Sequence, residues 1–480
     1  MPNGRPDAPP TRASRQPPDD RVAGSRHSAL KASATTLNAV ESVLLFIGGV
    51  AIVVIGLALS IGLHEIGHLL PAKLFGVKVT QYMIGFGPTI WSRRRGETEY
   101  GVKAIPLGGY IAMIGMFPPA KGAKVHADST GFFRGLVQDA RDSSMESITP
   151  GDEDRAFYRL PVWKRIIIMF GGPFMNLLLA VVLFAVLLMG FGVTQASTTV
   201  GTVSACALPA TSERQACEPG DPAAPGAAAG IEPGDRIVSV AGEPIETWGE
   251  STAIIRDHPD EPIELVVVRD GDEVALSVTP MLSERYAIDA NGTVVTDASG
   301  DPVVVQAGFI GVGAATETVQ QPATAVLPAV GDNVTRVAGI IVNLPQRIID
   351  VANAAFGPGE RDPNGPISVV GVGRVAGEIA SLDEIPLASK AAGLIGLLAS
   401  LNIALFVFNM IPLLPLDGGH IAGALWEAIR RGFAKLFKRP DPGPVDLAKL
   451  MPLTLAVVVV FGAMSALLIY ADIVKPVSLF

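Results

Sequence analysis

Two histidines and a glutamate stand at the end of an uninterrupted apolar run. The segment LSIGLHEIGHLLPAKLFGV, residues 59–77, contains His64, Glu65 and His68. On a helix, residues at i and i+4 lie on one face about one turn apart, so these two imidazoles could bind one zinc ion. Glu65 lies beside them, where a carboxylate could take a proton from an attacking water. The spacing therefore predicts a zinc site with Glu65 as its general base.

A catalytic zinc ion usually has three protein ligands and one open position. The segment NMIPLLPLDGGH, residues 409–420, offers Asp417, an isolated acid in apolar sequence. Pro412 and Pro415 interrupt the helical pattern there and free the backbone to bend towards a metal. From the residues alone, Asp417 and His420 are both candidates for the third ligand.

The setting of these residues is a membrane protein. Hydrophobic residues make up 49% of the 480 residues and mean hydropathy is +0.41, both too high for an ordinary soluble globule. Four stretches reach the roughly 20 apolar residues that cross a hydrocarbon core: residues 43–63, 166–193, 391–416 and 451–470. Ionisable groups at membrane depth are costly and generally serve a function. The alternative for the HExxH residues is a helix end whose polar groups lie among lipid headgroups.

The charges around these spans predict an orientation. The loops after the first and third spans are rich in lysine and arginine, which places them in the cytoplasm by the positive-inside rule. The acidic segment from about 197 to 320 then belongs on the other side. The Pro-rich tail 1–38 has a composition that predicts disorder; it falls outside too, although its arginines fit that side poorly. Without a secretory cleavage pattern, the first apolar run is a retained span.

Three segments between the spans have weaker patterns. Residues 81–116 combine glycines, aromatic residues and rough alternation, which predict short strands and turns in a hairpin that dips into the membrane face. Residues 117–160 are polar and charged and predict a mobile loop. Residues 318–360 predict one or two amphipathic helices that return the chain to the membrane.

The acidic segment contains a stretch that resembles a PDZ domain. In AAAGIEPGDRIVSVAGEPIETWGE, residues 227–250, a Gly-Asp corner precedes a predicted strand at 236–240. Residues 262–280 predict a hairpin with an Asp-Gly turn. PDZ folds hold an extended peptide by strand addition. The alternative is a spacer that only restricts access to the membrane part.

The two cysteines of the chain, Cys206 and Cys217, lie in this same segment. A pair that closes a short loop in an oxidising compartment predicts a disulfide. Two free thiols are the alternative, because the sequence does not test the geometry that a disulfide needs.

Five motifs in order make the chain similar to the site-2 protease family of intramembrane zinc metalloproteases. They are HEIGH in the first span, GFGPTIWSRRRGETEYGVKAIPLGGY after it, GGPFMN in the second span, the PDZ-like insert, and NMIPLLPLDGG in the third span. The resemblance runs from about residue 40 to the C-terminus. It is closest to the single-PDZ enzymes of actinobacteria that cut anti-sigma factors.

The resemblance implies roles for particular residues. In the family, two histidines and the Asp of the Leu-Asp-Gly motif bind zinc, which gives His64, His68 and Asp417 as ligands of one Zn²⁺. The glutamate of HExxH is the catalytic base, here Glu65. Asn176 matches the second-span motif, where packing explains it as well as catalysis does. The residues that the resemblance assigns to substrate are Asn402, Asn409, Gly85, Gly87, Gly108 and Gly109. For both substrate-assigned asparagines, an amide that satisfies the helix backbone is the alternative.

We therefore predict an α-helical polytopic membrane protein with four spans, a membrane-associated β-hairpin region and an inserted extracytoplasmic PDZ-like α+β domain. The predicted order is a disordered tail at 1–38, the first span with HExxH at 39–76, the hairpin region at 77–116, a cytoplasmic loop at 117–163, the second span at 164–195, the PDZ-like domain at 198–282, an extension with amphipathic helices at 283–390, the third span with the LDG motif at 391–420, a basic cytoplasmic loop at 421–449 and the fourth span at 450–475.

The predicted function is an intramembrane zinc endopeptidase of the cell membrane. By the resemblance, it cleaves transmembrane segments such as those of anti-sigma factors after a first cut, in regulated intramembrane proteolysis. The site would lie towards the cytoplasm and the PDZ-like domain outside, where it could take a peptide or protein partner. One alternative is a membrane-anchored zincin that cuts soluble or misfolded substrates at the cytoplasmic face. Another is a metal transporter or PDZ scaffold, which would not need Glu65. Nothing in the sequence resembles a nucleic-acid surface.

Overall fold

The computed structural model describes residues 20–119, 132–212, 214, 216–288, 294–297, 301–359, 361–362, 365–382 and 385–477. The chain divides into two compact units. The first contains the described parts of Met1–Val186 and Thr324–Phe480, and the second is Leu187–Ala323.

The first helix, α1 (Asp20–Leu74), carries the HExxH residues. Its segment Val40–Leu74 is long and apolar enough to cross a membrane. Residues 20–38, for which the sequence predicts disorder, are also helical. All prolines of the tail precede Asp20, and the Ala-rich remainder has good helix propensity. Residues 1–19 lie outside the described residues.

A long antiparallel hairpin follows, formed by β1 (Val79–Arg95) and β2 (Thr98–Met113). Register shifts divide the pairing, so that residues 79–84 pair with 109–113 and also with 99–102. Near these shifts lie Gly85, Gly87 and Gly108, whose φ angles are +91°, +83° and +104°, a region that favours glycine. The bent hairpin therefore leaves one side of the 109–113 segment without a strand neighbour in the described chain.

The polar segment after β2 is partly regular, although the sequence predicts a mobile loop. Residues 120–131 lie outside the described residues, and α2 (Phe132–Glu146) follows. Ser144 of α2 exchanges two hydrogen bonds with the backbone of Phe117, at 2.9 and 3.0 Å. Further along, the Phe157 amide donates to the Ile114 carbonyl at 3.0 Å. These contacts hold the chain where it leaves β2.

The second long helix, α3, covers Val162–Ala185 and continues as a π-helical turn over Val186–Phe191. Together they form an apolar stretch, Val162–Phe191, that could span a membrane. Gly192, at φ +84°, follows this stretch and precedes the first strand of the second unit.

The second unit is built around one antiparallel sheet. Its elements are β3 (Val193–Val203), α4 (Pro225–Ala228), β4 (Arg236–Val240), β5 (Glu243–Pro244), α5 (Trp248–Asp257), β6 (Ile263–Arg269), β7 (Asp272–Val278), β8 (Met281–Tyr286), β9 (Val304–Phe309) and β10 (Val312–Val319). The sheet order is β10-β3-β4-β6-β7, with β5 beside β4, and β8 pairs separately with β9. Val240, Leu265 and Val267 are fully buried in its core.

The predicted strand at 236–240 and the Asp-Gly turn between β6 and β7 are both present. The helix α5 begins with a capping box in which Thr247 accepts from the Glu250 amide. The unit is wider than the predicted 198–282, because β10 pairs with β3 and extends the sheet to Val319. Cys206 and Cys217 form a disulfide with an S–S distance of 2.01 Å.

The first unit resumes with six helices, α6 (Val326–Val342), α7 (Leu344–Phe356), α8 (Val369–Ser381), α9 (Leu387–Asn409), α10 (Asp417–Leu436) and α11 (Met451–Val474). The predicted third span ends earlier than expected, at Asn409, and the Leu-Asp-Gly motif instead starts α10. Pro412 and Pro415 lie in the break, where they cannot continue a helix. Much of the predicted basic loop at 421–449 is therefore helical.

Five helical segments of the described chain are long and apolar enough to cross a membrane. Four correspond to the predicted spans: Val40–Leu74, Val162–Phe191, Leu387–Asn409 and Leu447–Val474. The fifth, Ala323–Val342, lies where the sequence predicts an amphipathic helix and has the lowest mean hydropathy of the five, 1.4. The chain is a polytopic membrane protein with a β-hairpin region in its first unit.

Asp235 of the second unit gives a testable pH dependence. Its side chain is 1% exposed and accepts two 2.7 Å hydrogen bonds from Arg269, which hold the pKa of this carboxyl below its usual range. A depressed folded-state pKa stabilises the fold above the unfolded pKa of about 3.9, and this stabilisation is lost as the pH falls through the folded-state value. We expect hydrogen-exchange protection of β4 to fall below about pH 4.

Asp235→Asn should lower that protection already at neutral pH, by about 1.5–3 kcal/mol, and flatten its acid dependence. Asp272→Asn, on the exposed start of β7, is the matched control and should leave both unchanged. Equal acid profiles for the wild type and Asp235→Asn would contradict the assignment.

Candidate active site

The HExxH residues lie where α1 crosses α3 with its backbone in direct contact. A methyl group on Gly67 would overlap the Gly171 carbonyl, and one on Gly171 would overlap the Gly67 carbonyl. Such close crossings of membrane helices need small residues. A methyl group on Gly172 would overlap the imidazole of His68. The two glycines of GGPFMN thus make room for the helix crossing and for one of the histidines.

Asp417 reaches the two histidines because the chain breaks between α9 and α10. Its Oδ2 lies 3.3 Å from His64 Nε2, and its Oδ1 lies 3.3 Å from His68 Nε2. The next two residues are buried glycines, and a methyl group on Gly419 would lie only 2.6 Å from backbone atoms of residues 413 and 414. The Leu-Asp-Gly-Gly sequence therefore lets α10 begin tightly against the preceding loop.

The outer nitrogen of each imidazole is held by an oxygen acceptor. His64 Nδ1 donates to Asn176 Oδ1 at 2.6 Å, and His68 Nδ1 donates to the Ile168 carbonyl at 2.7 Å. Asn176 must present its oxygen to His64, because its Nδ2 donates to Asn402 Oδ1 at 3.0 Å. With both protons on Nδ1, each Nε2 carries a lone pair that faces the centre of the site.

These lone pairs converge with a carboxylate. The two Nε2 atoms are 3.2 Å apart, and the three ligand atoms of His64, His68 and Asp417 all lie within 4.8 Å of one another. Asp417 Oδ2 is buried without a hydrogen-bond partner among the described residues. The two lone pairs and the carboxylate repel one another unless a cation lies between them. Two imidazoles and a carboxylate are a ligand set that zinc accepts, so the residues fit one Zn²⁺.

Glu65 lies beside this group and against the hairpin. Its side chain is 8% exposed, and its carboxylate lies close to the backbone of Ile111. A methyl group on Gly109 would come within 3.1 Å of Glu65 Cγ. The absence of a side chain at Gly109 therefore lets the 109–113 segment approach Glu65 directly.

A polar cavity of about 310 Å³ opens onto these residues. Its lining comprises His64, Glu65, His68, Gly109, Tyr110, Ile111, Met113, Met116, Met169, Asn409, Pro415, Asp417 and His420. Substrate-sized space thus lies between the ligand group, the free side of the hairpin and the loop before α10.

The structure separates the residues that the sequence assigns to substrate. Gly109 and Asn409 line the cavity, whereas Gly85, Gly87 and Gly108 lie within the hairpin and do not. A methyl group on Gly108 would overlap the Phe86 ring, so this glycine serves the hairpin's own packing. Asn402 is fully buried and donates to Ser60 Oγ at 3.0 Å and to the Leu398 carbonyl at 2.8 Å.

A chain of buried amides thus joins three membrane helices. Ser60 of α1 contacts Asn402 of α9, Asn402 contacts Asn176 of α3, and Asn176 contacts His64 of α1. Asn402 therefore acts on the site through Asn176 and does not reach the cavity. The sequence did not distinguish a packing role from a catalytic role for Asn176. Its hydrogen-bond partners in the structure identify its part in the site.

Two further groups lie around the His64-His68-Asp417 group: the His420 side chain and the Ile168 carbonyl. His420 lines the cavity beside Phe117, with ring centres 6.5 Å apart, and its buried Nδ1 has no partner in the described chain. It does not belong to the converging group, so the residues that could hold one metal ion are His64, His68 and Asp417. No sequence signal pointed to the Ile168 carbonyl, because every residue carries a backbone carbonyl.

Buried charges fix α10 a few turns after Asp417. Glu427 is fully buried, and its Oε1 lies 2.5 Å from Arg165 Nη2 and 3.0 Å from Arg431 Nη2. Its Oε2 accepts from the Val445 amide at 2.9 Å. Arg165 lies on α3, one turn before the carbonyl that holds His68. This ion pair therefore fixes α10, which carries Asp417, against the helix that orients His68.

A converging His-His-Asp group on membrane helices, beside a buried glutamate and an open polar cavity, defines a membrane zinc metalloprotease. Comparison with known proteins places the chain within that class. The family model described as Peptidase family M50 matches residues 52–439. The chain therefore belongs to peptidase family M50, the site-2 proteases, and it is a zinc metalloprotease.

Individual relatives agree with this assignment. The zinc metalloprotease Rip1 of Mycobacterium tuberculosis is 34% identical over 449 residues, which cover 91% of this chain and 100% of the relative. Rip1 of Mycolicibacterium smegmatis is 34% identical over 447 residues, 90% of this chain and 99% of the relative. The metalloprotease MmpA of Caulobacter vibrioides is 29% identical over 388 residues, 78% of this chain and 85% of the relative.

Gly172→Ala should reduce zinc binding without touching a ligand. The added methyl group would displace the His68 imidazole, and overpacking of this kind costs about 1–3 kcal/mol. The zinc content of the purified protein, measured by elemental mass spectrometry, should fall clearly below one ion per chain. Gly48→Ala on α1, where a methyl group meets no atom within 4 Å, is the matched control. A Gly172→Ala protein with full zinc content would refute this account of the glycine.

Asn176→Leu should weaken zinc binding about 10- to 100-fold, because His64 would lose the acceptor that fixes its tautomer. Asn409→Leu is a matched amide control, since the Asn409 amide donates only to the Leu405 carbonyl of its own helix, at 3.0 Å. The zinc affinities of the two variants are compared by titration against a chelator of known affinity. If both variants lose zinc equally, Asn176 does not act through His64.

Proposed function

We propose that this protein is an intramembrane endopeptidase that hydrolyses peptide bonds in transmembrane segments of other proteins. The observation that supports this most is the place of the ligand group. His64, Glu65 and His68 lie within Val40–Leu74, a segment apolar enough to span a membrane. Asp417 completes the group just after a second such segment. A site that is built on one span and completed directly after another meets substrates that are themselves in the membrane.

The chain's own residues supply acid–base chemistry and orientation. When bound, zinc supplies a Lewis acid that polarises a carbonyl group and makes water more acidic. Glu65 takes the proton of the attacking water and passes it to the leaving amine. Its low exposure and its contact with Ile111 hold the carboxylate in one place. Asn176 and the Ile168 carbonyl keep both imidazoles in the tautomer that leaves Nε2 free.

The 109–113 segment of β2 is the proposed substrate-binding strand. A helical peptide bond is shielded by its own hydrogen bonds, so a transmembrane substrate must be extended before it is cut. The free side of this segment lines the cavity next to Glu65 and can pair with an extended chain by edge addition. Asn409 at the cavity wall is the proposed polar contact for the substrate backbone. Gly85, Gly87 and Gly108 shape the hairpin that presents this strand.

The substrate class we propose is a single-span anti-sigma factor that a first protease has shortened, in regulated intramembrane proteolysis. It rests on the resemblance to actinobacterial site-2 proteases. We further propose four spans, with Ala323–Val342 lying at the membrane surface, because it contains Asp332 and Arg336. The basic loops support an active site that faces the cytoplasm. The second unit would then lie outside, as a PDZ-like domain for a peptide or protein partner.

Glu65→Gln is the decisive variant. In lipid vesicles with a single-span model substrate, the wild type should cut within the span, and the variant should be slower by about 10²–10⁴-fold while it keeps its zinc. Its zinc content, measured on the same sample, is the control for folding. Equal cleavage by both proteins would rule out Glu65 as the base.

A detached soluble peptide of the same sequence distinguishes the competing function. A membrane-anchored zincin that acts on soluble or misfolded chains would cut this peptide and leave the embedded span intact. The intramembrane protease should show the opposite preference. Mass-spectrometric mapping of the cut position in both substrates decides between the two functions.

A further inference from the structure

A second cavity lies far from the ligand group, on the C-terminal half of α10. It has a volume of about 440 Å³, and its lining includes Trp426, Ile429, Phe433, Phe437, Arg430 and Arg439. The apolar members recur at helical spacing, so they form one stripe along α10. Pro440 and Pro442, in the turn after α10, also line the cavity. The cavity is therefore an apolar slot with two guanidinium groups on its wall.

The aromatic side chains of this stripe are more exposed than is usual on the surface of a soluble protein. Trp426 is 56% exposed, Phe433 58% and Phe437 65%, and the rings of the last two are stacked with centres 6.4 Å apart. Exposed aromatic residues gathered in one patch mark an interaction surface. On the opposite side, α10 is fixed to the protein through Glu427 and Arg165. The stripe thus faces away from the helices that hold α10.

Its position points to the edge of a bilayer. α10 begins at Asp417 in the membrane site and lies between two candidate spans, Leu387–Asn409 and Leu447–Val474. Arg430 is roughly 20 Å along the helix axis from Asp417, at 1.5 Å per residue. That distance is comparable with the half-thickness of a hydrocarbon core of about 30 Å. A helix that leaves the bilayer here carries its tryptophan and arginines at headgroup depth.

The positive charges of the two guanidinium groups are available to bind an anionic ligand. Arg430 and Arg439 have no ion-pair partner among the residues that the structure describes. The neighbouring acid, Asp441, lies 3.4 Å from Arg431 Nε, and Arg431 also contacts Glu427 at 3.0 Å. Guanidinium groups bind phosphate oxygens well, since their geometry allows paired hydrogen bonds. An anionic headgroup fits this end of the slot, and an acyl chain fits the aromatic stripe.

We propose that this slot is a binding site for an anionic phospholipid. The phosphate contacts Arg430 and Arg439, and an acyl chain lies along Trp426, Ile429 and Phe433. The lipid would bind to α10, whose first residue is the ligand Asp417. The proposal does not depend on which substrate the protease cuts.

Trp426 provides a local probe. The full-length protein is reconstituted into phosphatidylcholine vesicles that contain a minor fraction of a brominated lipid. This lipid is either brominated phosphatidylglycerol or brominated phosphatidylcholine. Brominated acyl chains quench tryptophan fluorescence on contact. The signal of Trp426 is the difference between the wild type and Trp426→Phe. We expect brominated phosphatidylglycerol to compete for the slot roughly fivefold better per guanidinium than brominated phosphatidylcholine.

Matched charge variants distinguish binding at a specific site from general electrostatic attraction to the protein surface. Arg430→Gln with Arg439→Gln should abolish the preference for phosphatidylglycerol. Lys435→Gln with Lys438→Gln removes the same charge from α10 and the turn after it without touching the slot, and should keep the preference. The retained zinc content of each variant reports on its fold. Equal loss in both pairs would overturn the proposal in favour of general surface attraction.

Two further outcomes would overturn it. Equal quenching of wild-type Trp426 by both brominated lipids would show that no anionic headgroup is selected, and this comparison needs no variant to fold. Soluble glycerol phosphate that displaces the brominated phosphatidylglycerol at equal concentration would show that the arginines serve a free phosphate. Failure of glycerol phosphate to compete, together with the expected variant pattern, supports the lipid.

Discussion

The structure depends on one electrostatic constraint: two imidazole lone pairs and a carboxylate converge in apolar surroundings. His64 Nε2 and His68 Nε2 are only 3.2 Å apart, and each is 3.3 Å from Asp417. With neither a metal ion nor an added proton between them, the two lone pairs and the carboxylate repel one another, and their burial weakens the screening of this repulsion. Zinc binding and the close packing of α1, α3 and α10 therefore favour one another.

Close helix packing is the condition for that convergence. Gly67 and Gly171 let α1 and α3 touch, and Gly172 leaves space for the His68 ring. The contact also brings the Ile168 carbonyl and Asn176 within reach of the outer imidazole nitrogens. A larger residue at the crossing would separate all of these groups together. The glycines therefore influence the chemistry although they contact no substrate.

The structure brings together the three side chains that the sequence predicted as zinc ligands, whereas the sequence contained little information about their surroundings. His64, Glu65 and His68 are fixed by a local spacing on one helix, and Asp417 stands out as a lone acid in apolar sequence. The partners of Asn176 and the Ile168 carbonyl arise from long-range packing, which leaves no mark in a local pattern. The helical start of α10 and the sheet extension by β10 were missed for different reasons. The sequence analysis placed Asp417 at the end of the third span, because its surroundings are apolar, and the pairing of Val312 with Val203 and of Val319 with Val193 joins strands far apart in sequence, which leaves no local signal.

The irregular backbone is what allows a polar reaction site within an apolar protein. Between α9 and α10 the chain leaves helical geometry at Pro412 and Pro415, and the hairpin adds backbone groups of 109–113 on the other side of the cavity. Such non-helical backbone is tolerated at membrane depth only where it lies against protein or lines a water-containing space. Both segments do so in the same 310 Å³ cavity. The features that would destabilise an ordinary membrane bundle therefore coincide with the cavity that His64, Glu65, His68 and Asp417 line.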